Sequence, residues 1–85
     1  MKYTLVYTNR AYKDIQRLDL KLKHRIGKAL KKYEIEPMKH ATKLTDPKLG
    51  TYRFRIGDYR VIFDIEGEDV VILRIGHRRD IYRKL

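Results

Sequence analysis

Residues 52–63, YRFRIGDYRVIF, constrain this chain more than any other stretch. Two period-2 runs rich in aromatic and β-branched residues flank Gly57-Asp58, and a two-residue connection with glycine first has the chemistry of a type II′ hairpin turn. Such a turn fixes register: Ile56 opposes Tyr59, Arg55 opposes Arg60, Phe54 opposes Val61, Arg53 opposes Ile62 and Tyr52 opposes Phe63. One face then collects Tyr52, Phe54, Ile56, Tyr59, Val61 and Phe63, and helices must cover it. The other carries Arg53, Arg55 and Arg60. Like charges directly across a strand pair cost about 0.2–1 kcal/mol, a penalty that a sheet selected for stability alone would avoid. Arg53 and Arg55 lie about 6.8 Å apart along one face, and the guanidinium fork matches phosphate oxygens. The hairpin by itself fits two readings equally: a phosphate site, and a solvated face with Asp58 and Asp64 interspersed.

The rest of the chain supplies what the apolar face needs. Residues 2–7 (KYTLVY) alternate as a first strand. Thr8 or Asn9 is placed to cap a short helix with Ala11, Tyr12, Ile15 and Leu18 inside and Lys13, Asp14, Gln16 and Arg17 outside. Asp19 is placed to cap a second helix over 21–34, with Leu22, Ile26, Ala29, Leu30 and Tyr33 on one stripe and six Lys or Arg around the rest. Pro37 disfavours helix at Glu36. Residues 38–50 have no period and a turn signal at Asp46-Pro47, so they read as a loop anchored by Leu44. Strands follow over 51–56, 58–65 and 70–75, the last two joined through residues 66–69. The order β-α-α-β-β-β predicts an α+β fold, a mainly antiparallel twisted sheet with a helical hairpin on one face. The length of that last connection decides which face Arg74 takes, and the sequence leaves it open.

With 85 residues there is room for a single domain spanning 1–85. Twenty-one Lys and Arg against 11 Asp and Glu give a net charge of +10, which points to a polyanionic partner, nucleic acid first. The amino terminus lacks the continuous apolar stretch of a signal peptide, and no run is long enough to enter a bilayer, so a cytoplasmic protein is expected. Without cysteine, and with His24, His40 and His77 scattered, neither a zinc site nor any other metal or cofactor is expected.

The carboxy-terminal segment GHRRDIYRKL adds His77, Arg78, Arg79, Tyr82, Arg83 and Lys84. If the last two strands are hairpin partners, His77 and Arg78 return beside Arg60. Together these groups are what metal-free RNA cleavage requires: a base for a 2′-OH, cations for the charge of a pentacovalent phosphorane, and an acid for the leaving oxygen. In isolation the segment reads more simply as a basic tail whose tyrosine packs on the sheet.

The element order, YRFRIGDYRVIF at 52–63 and IGHRRDIY at 75–82 resemble the RelE toxins of the RelE/ParE superfamily over nearly the whole chain. The resemblance implies a ribosome-dependent endoribonuclease that cuts the A-site codon of mRNA by 2′-OH attack and is neutralised by a cognate antitoxin, expected to be acidic and partly disordered. By position it implies phosphate-stabilising roles for Arg60 and Arg78 and a substrate-orienting or proton-moving role for Tyr82. Arg53 and Arg55 stand where relatives have lysines, and an arginine is a poor base, which makes His77 the expected proton carrier. The expected catalytic set is Arg55, Arg60, His77, Arg78 and Tyr82, with Arg53, Arg79, Arg83 and Lys84 holding RNA. Two rivals share the fold or the charge: a ParE-like poison of DNA gyrase, and a non-catalytic module that binds RNA or ribosomes.

Overall fold

The computed structural model describes residues 2–45, 48 and 50–82. Its elements are β1 (Thr4–Tyr7), α1 (Asn9–Gln16), α2 (Leu20–Tyr33), a 3-10 turn (Pro37–Lys39), β2 (Ala41–Lys43), β3 (Tyr52–Ile56), β4 (Tyr59–Glu66) and β5 (Asp69–His77). Five strands form one sheet in the order β1-β5-β4-β3-β2, antiparallel except for the parallel pair β1 and β5. The helices lie on one face, as in the α+β arrangement expected.

Local chemistry sets the helix starts. The Thr8 hydroxyl accepts from Ala11 N at 3.2 Å and donates to the Ile72 carbonyl at 2.9 Å, so one side chain caps α1 and ties it to β5. Asp19 accepts from Leu22 N at 2.9 Å and caps α2. The β3–β4 register is the one the turn demands, all five pairs included. Gly57 has φ +60° while Asp58 keeps a negative φ, the signature of a type II′ turn. Phe54, Ile56, Val61 and Phe63 are buried against Ile26 and Leu30 of α2 and Val70, Ile72 and Ile75 of β5, with Tyr52 and Tyr59 at the margin.

Four features depart from the sequence reading. Residues 41–43, expected in a loop, pair with Phe54, Arg53 and Tyr52 as an edge strand, because β3 would otherwise leave one side of its backbone without partners. The β4–β5 connection is a two-residue turn, Gly67-Glu68, with Glu66 opposite Asp69. Between Ile62/Arg74 and Phe63/Ile72 the register slips by one residue, and this bulge at Leu73 re-aims Arg74. Asp14, expected outside, is turned inward. Its carboxylate accepts from Arg74 Nε at 2.8 Å, Arg74 Nη2 at 3.2 Å and the Ile75 backbone N–H at 2.9 Å. Beyond Ile72 the β5 edge has no strand beside it among the described residues, and Asp14 serves the exposed backbone there. Leu44 closes the β2–β3 connection through its N–H to the Thr51 carbonyl at 2.9 Å, whereas the Asp46-Pro47 turn lies outside the described residues. Among the described residues no helix is long and apolar enough to cross a membrane.

Candidate functional site: a cationic sheet face

The face of the sheet away from the helices carries Arg53 and Arg55 of β3 and Arg60 of β4, with Arg55 directly opposite Arg60. It is not bare. Ile62, on the same face, is fully buried beneath Gly50 and the Leu73 side chain. Gly76 of β5 lies opposite Arg60, and the residues after β5 fold back so that Ile81 packs on Gly76 and is itself buried. A Cβ at Gly76 would stand 3.5 Å from Ile81, ordinary contact distance, so this turn lies directly on β5 beside Arg60.

Arg60 is the centre of the arrangement. It is 6% exposed, and its Nη1 donates to the carbonyls of Gly57 and Tyr59, both at 2.9 Å. Burial first, then the neighbouring Arg55, with Arg53 and Arg78 adding to it, push its guanidinium below the usual arginine range; Tyr82 opposes them. Arginine stays protonated all the same, so a buried cation sits among three others. Arg53 donates from Nη1 to the Tyr82 hydroxyl at 2.7 Å, while its Nε is buried with no hydrogen-bond partner among the described residues. Such an orphan donor calls for a ligand or water. Arg78 is held at the rim by its backbone N–H to the Asp58 carbonyl at 2.8 Å and by a loose ion pair, Nε to Oδ1 at 3.7 Å, in which both side chains are more than half exposed. That pair neutralises little.

His77 does not join the cluster. It opposes Tyr59, so it lies on the helix face, its ring edge-on to Tyr59 with centroids 5.4 Å apart. Its Nδ1 accepts the Arg79 N–H at 3.1 Å, which shapes the turn that presents Arg78. The expectation that His77 and Arg78 both return beside Arg60 therefore holds for Arg78 alone: alternation puts Gly76, not His77, on Arg60's face. Arg79 is exposed on the turn, and Arg83 and Lys84 lie outside the described residues. Arg74, left open by the sequence, is drawn off the face by Asp14, and that hydrogen bond, more than burial opposes it, raises its guanidinium above the usual value. Sequence reasoning missed Asp14 as a structural partner. The available signal was that it is the one acidic residue of α1.

A helical hairpin covering one face of a small sheet is an architecture this chain shares with toxins of solved toxin-antitoxin complexes. The chain belongs to that class through the family described as "ParE toxin of type II toxin-antitoxin system, parDE", whose sequence model matches residues 5–82. Toxin RelG of Mycobacterium tuberculosis is 34% identical over 99% of this chain and all of its own length. Among solved structures, the RelBE2 toxin-antitoxin complex from the same organism matches with a TM-score of 0.82 at 30% identity, covering 92% of this chain and all of that one. The archaeal RelE–RelB complex of Pyrococcus horikoshii matches with a TM-score of 0.75 at 26% identity, over 94% of this chain and 99% of that one. The chain is thus a type II toxin of the RelE/ParE superfamily, the superfamily its sequence motifs resemble.

Proposed function

We propose that this toxin is a metal-independent endoribonuclease that enters the ribosomal A site, cuts mRNA there and so stops translation in the cytoplasm, until an acidic, partly disordered antitoxin covers it. One observation carries the reading: Arg60 is buried among Arg53, Arg55 and Arg78 with no carboxylate hydrogen-bonded to it among the described residues, an arrangement that costs the free protein stability and that a phosphate would relieve.

The reaction sets the roles. The substrate's 2′-hydroxyl gives up its proton as its oxygen bonds to the adjacent phosphorus, the bond from phosphorus to the 5′-oxygen breaks, that oxygen takes up a proton, and a 2′,3′-cyclic phosphate remains. Negative charge grows on the non-bridging oxygens at the transition state, where fixed cations in a partly dry site are most effective. Arg55, Arg60 and Arg78 supply them. Arg53 holds RNA and fixes the Tyr82 phenol through its 2.7 Å hydrogen bond, and the phenol takes the role of moving a proton. His77 acts as a positioning residue through the turn that carries Arg78. Induced expression is expected to halt growth with cleavage of translated mRNA. Arg60→Ala or Arg78→Ala relieves both effects, Tyr82→Phe slows cleavage, and His77→Gln is milder than either arginine change.

A second reading, inhibition of DNA gyrase, draws on the ParE name of the matching family. It gives no work to the arginine cluster or Tyr82. Growth arrest with intact mRNA and stalled gyrase on plasmid DNA would establish it in place of the nuclease.

A further inference from the structure

Outside the Arg60 cluster, α1 carries a concentration of positive charge that the proposed reaction does not use. Arg10, Lys13 and Arg17 recur at helical spacing along α1 and its C-cap, and with Asp14 and Arg74 they line one surface concavity of about 210 Å³. Asp14 is the carboxylate of that concavity, and it is already committed: two bonds from the Arg74 guanidinium and one from the Ile75 N–H saturate it. Arg10, Lys13 and Arg17 form no ion pair or side-chain hydrogen bond among the described residues. Four cations against one carboxylate leave the concavity with a charge of +3.

Nothing in the folding of α1 asks for this. Its first turn contains Arg10 and no acidic residue, the reverse of what the helix dipole favours, and like charges one turn apart cost a few tenths of a kcal/mol per pair. The positions are also connected to the sheet. Arg74 is two residues from Gly76, about 6.8 Å of strand, and Gly76 sits opposite Arg60. Ile81 covers Gly76, so a strand of nucleic acid would pass from the Arg60 cluster to the α1 cations round the free edge of β5, where Asp14 of α1 meets the Ile75 N–H. From Arg10 to Arg17 is about 10 Å of helix axis, so the three cations form a row along α1.

We propose that α1 and the free edge of β5 form a second phosphate-binding site, in which Arg10, Lys13 and Arg17 grip the sugar-phosphate backbone of single-stranded RNA while Asp14 holds Arg74 in place as the floor. It rests on the reading that the toxin's polyanion is RNA, but not on cleavage. Its work is affinity, and it touches no reacting atom.

The test is a fluorescence-anisotropy titration of a labelled uridine-rich RNA, about 12 nucleotides long, between about 50 and 200 mM salt. The full chain carries Arg60→Gln throughout, so that no cleavage intervenes. Removing three phosphate contacts with Arg10→Gln, Lys13→Gln and Arg17→Gln together is expected to lower the slope of log K against log salt by about 2, so that over this range the parent loses roughly 20-fold more affinity than the triple variant. Lys28→Gln, Lys31→Gln and Lys32→Gln, the same charge removed from α2, is the control and leaves the slope near that of the parent. Equal slope losses in both triples reduce the effect to net charge and overturn the site. A parent that binds RNA with an unchanged slope in the α1 triple overturns the second site alone, also where the triple weakens an acidic protein partner instead. A parent that binds no RNA overturns this site, and a wild-type chain that also binds none overturns the RNA reading with it. Thermal unfolding of each variant confirms that these exposed changes leave the fold in place.

Discussion

Replacing Arg55 with threonine should make the free protein more stable and less toxic at once. Arg55 is exposed, and its guanidinium stands across the strand pair from Arg60, which is buried and already crowded by Arg53 and Arg78. Removing it deletes the nearest of these repulsions, and threonine suits a strand. Like-charged cross-strand pairs cost about 0.2–1 kcal/mol, and because one member here is buried the screening is weak and the upper half of that range applies. For a domain of this size 1 kcal/mol moves the midpoint by about 4–8 °C, so Tm should rise by roughly 2–8 °C at low salt. The assay is thermal unfolding followed by circular dichroism, repeated in about 1 M salt, where the Debye length falls to about 3 Å. The gain should shrink there, and Arg55→Lys, which keeps the charge, should show little of it. A Tm that falls, or a gain of undiminished size at high salt, would refute the reasoning that this face gives up stability for a bound phosphate.

Three further perturbations test the scaffold. Gly50 has φ +147°, and a Cβ there would stand 2.7 Å from Ile62 Cγ2 and 2.9 Å from Leu73 Cδ1, so Gly50→Ala should cost about 1–3 kcal/mol in a denaturant titration. Asp14→Ala strands the Arg74 guanidinium, with side chains 10% and 18% exposed in the pair; a loss of about 3 kcal/mol is expected, and Arg74→Leu in the same chain should recover much of it. Gly27 lies inside α2, and a Cβ added there would meet nothing within 4 Å, so Gly27→Ala should stabilise by about 1 kcal/mol and raise Tm.

The parts of this molecule that were legible in its sequence are those fixed by local chemistry. A glycine-first turn and strict alternation determine the β3–β4 register, and a threonine or aspartate ahead of an apolar stripe starts each helix. What escaped depends on groups far apart in the chain. Residues 41–43 carry no strand pattern because an edge strand needs only backbone partners, which β3 provides. Asp14 looks like any outward-facing helical carboxylate until β5, sixty residues later, brings Arg74 and an unpaired backbone edge to it. His77 shows how nearness in sequence misleads at a site: Gly76 and His77 are neighbours, yet alternation sends them to opposite faces, and the face of His77 belongs to Tyr59. Of the expected site, Arg53, Arg55, Arg60, Arg78 and Tyr82 come together in space, and the contact that closes it, Arg53 to Tyr82, spans 29 residues.

RNA cleavage by the cationic face leaves new mRNA ends. The most direct measurement is of mRNA ends after purified toxin is added to a translating extract, with Arg60→Gln alongside and a gyrase supercoiling reaction run in parallel. Expected are cuts within translated codons, 2′,3′-cyclic phosphate ends insensitive to chelator, their loss in Arg60→Gln, and unimpaired gyrase. Uncut mRNA in the presence of active toxin, or cleavage that survives Arg60→Gln, would contradict it.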